Sequence, residues 1–428
     1  MNSVMKLIES IEHCLLPKLG RNFDESENHP EYDIRKKKVD DYFSLVLSLL
    51  GDLDLRLNKD LAPSVLSSLL IMYKELQSDG PWNTDKCKSY AQHLNLGFGV
   101  LYEITLDDLL RKNDIFNTQQ VFDRCIENLH RKLTSEDFKK FPGRIEVYCS
   151  LIQNIKVNEY DVKLHPMKTL PVSIMLIEDY IQDYKIKGLK CCITILQCLV
   201  KDFEDGNYYD VIYRSLKNNS EVKDLVVTKL FLDALREQMK IIHPEMKVKN
   251  TMIFFDNTLD EIFMVAELYE IILEQLHTES NLYRKEMLLI FLKEIIQKHT
   301  INCASGKKMF MEVIKNNLEL CTSETVGHIL LSILLECFQE WIKYCWCVWK
   351  LSMDHRVLSL LIKMLYIYKE EEHVSTIQKI IIVLFSLCTK PERAKLLSNL
   401  DKSSQLKDEQ FIKSIDTIKN EFTEIDSK

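Results

Sequence analysis

The sequence predicts an all-α protein, an α-solenoid of irregular HEAT- or armadillo-like helix pairs. Three observations carry that expectation. Glycine and proline are scarce, 10 and 9 in 428 residues, which is about a third to half of average usage, whereas strands joined by tight turns need both. Apolar residues recur at helical spacing from about Val39 onward, broken only by a few polar residues at a time. The apolar segments also come in consecutive pairs, one pair in roughly 40–60 residues, which is the period of armadillo and HEAT arrays.

Taken in order, "MNSVMKLIESIEHCLLPKLG" reads as an interrupted amphipathic helix with Glu9 and Glu12 inside it, not as a secretory signal. The acidic, proline-bearing "DESENHPEYD" (Asp24–Asp33) reads as a solvated loop. "RKKK" at Arg35–Lys38 has the look of a nuclear address or a phosphate contact, but Asp33 and Asp40–Asp41 nearly cancel its charge, so it reads as a solvated helix start. Leu45, Val46, Leu49 and Leu50 mark one apolar helix face; Val65, Leu66, Leu69 and Leu70 mark the next. Pro63, in the connector between them, suits a helix first turn. "QSDGPWN" at Gln77–Asn83 is a loop. Residues 1–133 form an N-terminal helical region on this reading.

Residues 134–390 carry the repeats. "YYDVIYRSLKNNSEVKDLVVTKLFLDALREQM" is an apolar helix, a short polar turn and a second apolar helix. The plan recurs around "HTES", again around "CTSE", and once more in "RVLSLLIKMLYIYKEEEHVSTIQKIIIVLFSLC". Each turn carries a Ser, Thr or Asn suited to cap the second helix. A single pair cannot bury both of its apolar faces, whereas stacked neighbours can; the competing expectation is an irregular helical globule. Residues 391–428, with "KPERAK" and "SSQLKDEQFIKSIDTIKNEF", read as charged terminal helices that cap the stack.

The bulk numbers exclude several function classes. A formal net charge of −8, from 56 basic and 64 acidic side chains, gives no whole-chain attraction to nucleic acid or anionic membrane. The 13 cysteines are scattered and odd in number, so reduced thiols and an intracellular protein are expected. Uninterrupted apolar stretches such as "IIIVLF" fall well short of the ~20 residues that span a bilayer.

No constellation for catalysis, metal or cofactor stands out. There is no "HExxH" and no paired "CxxC"; Cys345 and Cys347, one residue apart, read as buried helix thiols. Gly97 and Gly99 lack the third glycine and the preceding strand of a dinucleotide fingerprint, and "SGKK" at Ser305–Lys308 lacks the rest of a phosphate loop. His277, His299 and His328 fall at expected helix ends or turns. Glu178–Asp179 reads as a solvated pair ending a helix. On a helix Trp346 and Trp349 share a face, with core packing or a partner-binding anchor as the two roles open to them.

The stretch "KTLPVSIMLIEDYIQDYKIKGLKCCITIL" (Lys168–Leu196) resembles the segment typical of the Tti-two family. The matching residues are Leu170 and Pro171, then Glu178, Asp179 and Tyr180, then Gly188, Leu189, Lys190 and Cys191. "FPGRIEVYCSLIQNI" before it and "YYDVIYRSL" after it fit the same register, and "LLECFQEWIKYCW" resembles the family's late helix. Read physically, Pro171 fits a helix N1 position, Gly188 lets two helices approach, and Cys191 and Cys192 are small packing groups. The resemblance implies a non-enzymatic subunit of the Triple-T complex, with Tel-two and Tti-one homologues as partners. It further implies work with the Hsp90 chaperone and its R2TP adaptor on phosphatidylinositol-3-kinase-related kinases such as TOR, ATM and ATR, in cytoplasm and nucleus. An importin-like transport adaptor is the alternative from another class; a helical enzyme with a cryptic site is the third.

Overall fold

The scarcity of turn residues is realised as eighteen α-helices and no strand among the described residues. In the computed structural model these are 2–25, 28–156, 159–199, 208–242, 255–403 and 408–426. The chain divides into two compact units, Met1–Pro244 and Glu245–Lys428. Unit one holds α1 (Asn2–Cys14), α2 (Pro30–Gly51), α3 (Ala62–Gln77), α4 (Asp85–Tyr102) and α5 (Thr118–Leu133). It continues with α6 (Pro142–Gln153), α7 (Pro166–Glu178), α8 (Gln182–Cys198), α9 (Tyr208–Asn218) and α10 (Leu225–Ile242). Unit two holds α11 (Phe255–Thr278), α12 (Leu282–His299), α13 (Lys307–Leu320), α14 (Glu324–Cys345), α15 (Leu351–Ile367), α16 (Glu371–Ser386), α17 (Lys390–Ser403) and α18 (Glu409–Asp426).

Within each unit the packing follows one rule. Each odd helix up to α15 packs on the even helix after it, and within each unit the odd helices up to α15 also pack on one another in order. In unit one α1 touches α3, α3 touches α5, α5 touches α7 and α7 touches α9; in unit two α11 touches α13 and α13 touches α15. Even helices form the second layer: α2 on α4, α6 on α8, α8 on α10, then α12 on α14, α14 on α16 and α16 on α18. This two-layer stacking of consecutive helix pairs is an α-solenoid of irregular HEAT- or armadillo-like repeats. The pattern lapses at α6, which packs on α3 rather than on α4, and at the end of unit two, where α15 packs on α18.

Local signals set the helix boundaries. Proline occupies the first turn of α2, α3, α6 and α7, where its missing N–H costs nothing. Asn117 accepts from the Gln120 amide at 3.0 Å, Asp224 from the Val227 amide at 2.9 Å, and Asn281 from the Tyr283 and Arg284 amides. The expected cap in "CTSE" is absent: Ser323 precedes α14, but its hydroxyl pairs with that of Thr325 instead.

The structure corrects the reading of the N-terminal region. "DESENHPEYD" is not a solvated loop throughout, because His29 and Tyr32 are buried. "RKKK" is not a solvated helix start, because Arg35 is fully buried. The buried residues of α2 are Tyr32, Arg35, Val39, Phe43, Val46 and Leu50, so Arg35 falls on the apolar stripe by helical phase. In unit two, Glu324–Val348 is long and apolar enough to cross a membrane by length and composition, and half of an 18-residue window within it is buried in the fold. α18 is likewise amphipathic rather than simply charged, and Phe411, Ile415, Ile418 and Phe422 are buried.

Candidate functional site

The Lys168–Leu196 stretch folds as the α7–α8 pair, with one difference from expectation. Pro171 does not open the helix; Pro166 does, after His165 as the N-cap residue, and Pro171 lies inside α7. A proline there removes the bond to the carbonyl of Met167. Pro171 and Met167 are both exposed, so water can serve that carbonyl, while Leu170 and Val172 on either side are buried.

Glu178 ends α7 on the exposed side, but Asp179 is not solvated as the sequence suggested. Its carboxylate takes the Lys139 ammonium at 2.7 Å, with the two side chains 7% and 11% exposed, and accepts the Ile181 amide at 2.8 Å. The ring of Tyr180 lies 3.9 Å from the same ammonium and is 80% exposed. Lys139 belongs to a 3-10 turn, Phe138–Lys140, between α5 and α6. Its carbonyl accepts from the Phe23 amide at 3.0 Å, and that of Lys140 accepts from the Leu19 amide at 2.9 Å. The acidic end of α7 therefore ties the N-terminal segment and the start of α6 to the α7–α8 turn.

Gly188 sits where α8 meets α7. A Cβ placed on it would lie 2.7 Å from the Ile177 nitrogen and 2.8 Å from the Ser173 oxygen, both backbone atoms of α7. Only glycine permits that approach. Leu189 and Cys191 face the core, whereas Lys190 is exposed. Gln153 of α6 reaches Cys191 Sγ at 3.5 Å. Contact with Cys191 and burial together push the Cys149 thiol upward, so that thiol stays protonated and packs rather than reacts.

The tryptophans separate into different roles. Trp341 is buried and stacks on Phe310 at 5.0 Å. Trp349 is also core, 6% exposed, 6.5 Å from Phe338. Trp346 is 55% exposed. The shared helix face does not exist, because α14 stops at Cys345 and Trp346–Val348 is a 3-10 turn. Cys347 in that turn is exposed, against the expectation of a buried helix thiol. His328 lies inside α14, not at an end.

One concave feature was invisible in the sequence. A polar groove of about 540 Å³ opens among α3, α4 and α6, lined among others by Lys74, Gln77, Lys88, Glu146 and Asn154. Its charges are already paired: Lys74 with Asp107, Lys88 with Asp79, and Glu146 with Lys187. Among the described residues no group of three or more His, Cys, Asp or Glu side chains could hold a metal ion.

Helix pairs in two layers, polar surfaces and packed thiols define the class as a helical-repeat protein. No known family's sequence profile matches the chain, and no curated protein matches it. Among solved structures, a crystal structure of importin beta aligns over 96% of this chain and 53% of its own, at 12% identity and a TM-score of 0.35. The chain thus spans about half the length of that importin beta. A chain from a structure of tubulin recruitment by microtubule polymerases with tumor overexpressed gene domain arrays aligns over 90% of this chain and 97% of its own, at 10% identity and a TM-score of 0.25. Neither superposition is close enough to transfer a function.

Proposed function

We propose that the protein is a non-enzymatic scaffold, the Tti-two-like subunit of a Triple-T co-chaperone assembly. The observation that carries this reading is the Leu170–Cys192 segment. Its residues resemble the Tti-two family, and they do structural work here, Gly188 closing α8 onto α7 and Asp179 holding Lys139. A two-layer stack offers long lateral faces to another helical-repeat chain without refolding. The partners on this reading are Tti-one and Tel-two homologues, with Hsp90, R2TP and the phosphatidylinositol-3-kinase-related kinases TOR, ATM and ATR reached through them. Its work lies in cytoplasm and nucleus. Holding a client kinase in its folded form stabilises it by mass action and requires no turnover.

Affinity purification of the full chain from cells, read by mass spectrometry, tests the assignment. Tti-one and Tel-two homologues are the expected companions. Their absence, with recovery of Ran or basic localisation sequences instead, would move the protein to the transport adaptors.

A further inference from the structure

The α12–α13 and α14–α15 connectors of unit two, with the helix ends that flank them, are locally basic. Lys298–Met309 and Lys343–Arg356, which include the adjoining helix turns, together hold six basic side chains against one acidic, Asp354, in a protein whose formal net charge is −8. Asp354 is buried and pairs with Lys307 at 2.8 Å. Lys307 also donates to the Val348 carbonyl at 2.7 Å, and Cys345 Sγ lies 3.6 Å from the Thr300 carbonyl. These bonds clamp the α12–α13 connector to the α14–α15 connector. Glu319 and Glu340 engage Arg356 and Lys343, whereas Lys308 and Lys350 are exposed with no ion pair among the described residues.

The same edge exposes apolar groups. Ile301, Met309, Trp346 and Met353 all stand in solvent on these connectors or the turns that follow them. The other three tryptophans, Trp82, Trp341 and Trp349, are buried. The connector is strained as well: Thr300, a β-branched residue, is held at φ 52°, a conformation that persists only where its surroundings impose it.

We propose that this edge is a docking site for an acidic amphipathic helix of a partner protein, with Trp346 as the apolar anchor and Lys308 and Lys350 as the charged rim. Exposed aromatic and aliphatic groups flanked by two lysines complement a helix with apolar residues at i, i+3, i+4 and i+7 and carboxylates alongside. A protein fits the edge better than a bilayer. Trp346 is 55% exposed on a three-residue 3-10 turn, not on the long amphipathic helix with which a protein lies in a membrane interface. The inference stands independently of the Triple-T reading.

The test is display selection of a random 16-residue peptide library on the full chain, with counter-selection on the Trp346→Ala/Lys350→Glu variant. Both altered side chains are exposed, so the variant should unfold at the same temperature as the parent, which circular dichroism verifies. Enriched peptides are expected to be acidic and amphipathic, and to bind the variant at least about tenfold more weakly. Peptides without acidic enrichment, or equal binding to both proteins, would overturn the proposal. So would sedimentation of the parent but not the variant with phosphatidylserine vesicles, which assigns the edge to a membrane.

Discussion

Arg35 and Glu75 form an ion pair at 3.3 Å in which neither side chain is exposed. Glu75 also accepts the Leu16 amide at 2.6 Å, and Arg35 donates to Asn83 Oδ1 at 2.6 Å and to the Trp82 carbonyl at 3.2 Å. A Cβ on Gly143, in the first turn of α6, would lie 2.8 Å from the Glu75 carboxylate. A carboxylate at that place is favoured by the helix dipole. One buried pair thus joins α2, α3, the start of α6 and the chain following α1.

Removing one partner strands the other charge in the core. Arg35→Met is expected to destabilise unit one by ~3–5 kcal/mol, read from the urea midpoint. Adding Glu75→Gln to that variant should recover part of the loss, because no bare carboxylate then remains. Two losses that simply add would show that the pair is not coupled.

Gly188→Ala forces a methyl group into the α7 backbone. A loss of about 1–3 kcal/mol is expected, as for overpacked cores. Gly51 has nothing within 4 Å of its would-be Cβ, so Gly51→Ala is the control and should leave thermal stability near that of the parent.

Pro171→Ala should do the opposite of damage. The proline lies inside α7 on the exposed side, and alanine restores an N–H for the Met167 carbonyl. A gain of up to ~3 kcal/mol is expected in urea unfolding, given the helix-interior preference for alanine. A loss would mean that Pro171 acts through a contact the free chain does not show.

Burial pushes the thiols of Cys14, Cys192, Cys303 and Cys321 from 9.0 up to about 12. The folded pKa lies above the unfolded one, so the stabilisation is complete below about 9 and is lost as pH rises from there towards 12. Urea midpoints measured at pH 8 and pH 10 should therefore fall. At pH 8 an aromatic disulfide reagent should titrate Cys347 fast, since it is the exposed thiol, and the buried thiols only after denaturant. Fast modification of several thiols in the native protein would contradict the packed core.

Helix pairing was legible because Val65, Leu66, Leu69 and Leu70 repeat at helical spacing, and because turns such as "HTES" fall between such runs. Gly188 was legible as a close-approach residue for the same reason. The burial of Arg35 is masked in the sequence by its three lysine neighbours. The signal that would have found it is phase: the residue lies on one stripe with Tyr32, Val39 and Phe43. Glu75 lies 40 positions away in sequence, and no local pattern announces such a partner. The separation of Trp346 from Trp349 is not legible, because nothing in "YCWCVW" marks the point where the α-helix tightens into a 3-10 turn. The groove among α3, α4 and α6 depends on how α6 seats against α3 and α5, which is a tertiary outcome.

Co-expression of the full chain with Tti-one and Tel-two homologues, followed by size-exclusion chromatography, tests the scaffold reading most directly. The account predicts co-elution in one peak of defined stoichiometry, with no nucleotide turnover by the chain alone. Separate elution of all three proteins, in conditions where Tti-one and Tel-two still bind each other, would contradict it.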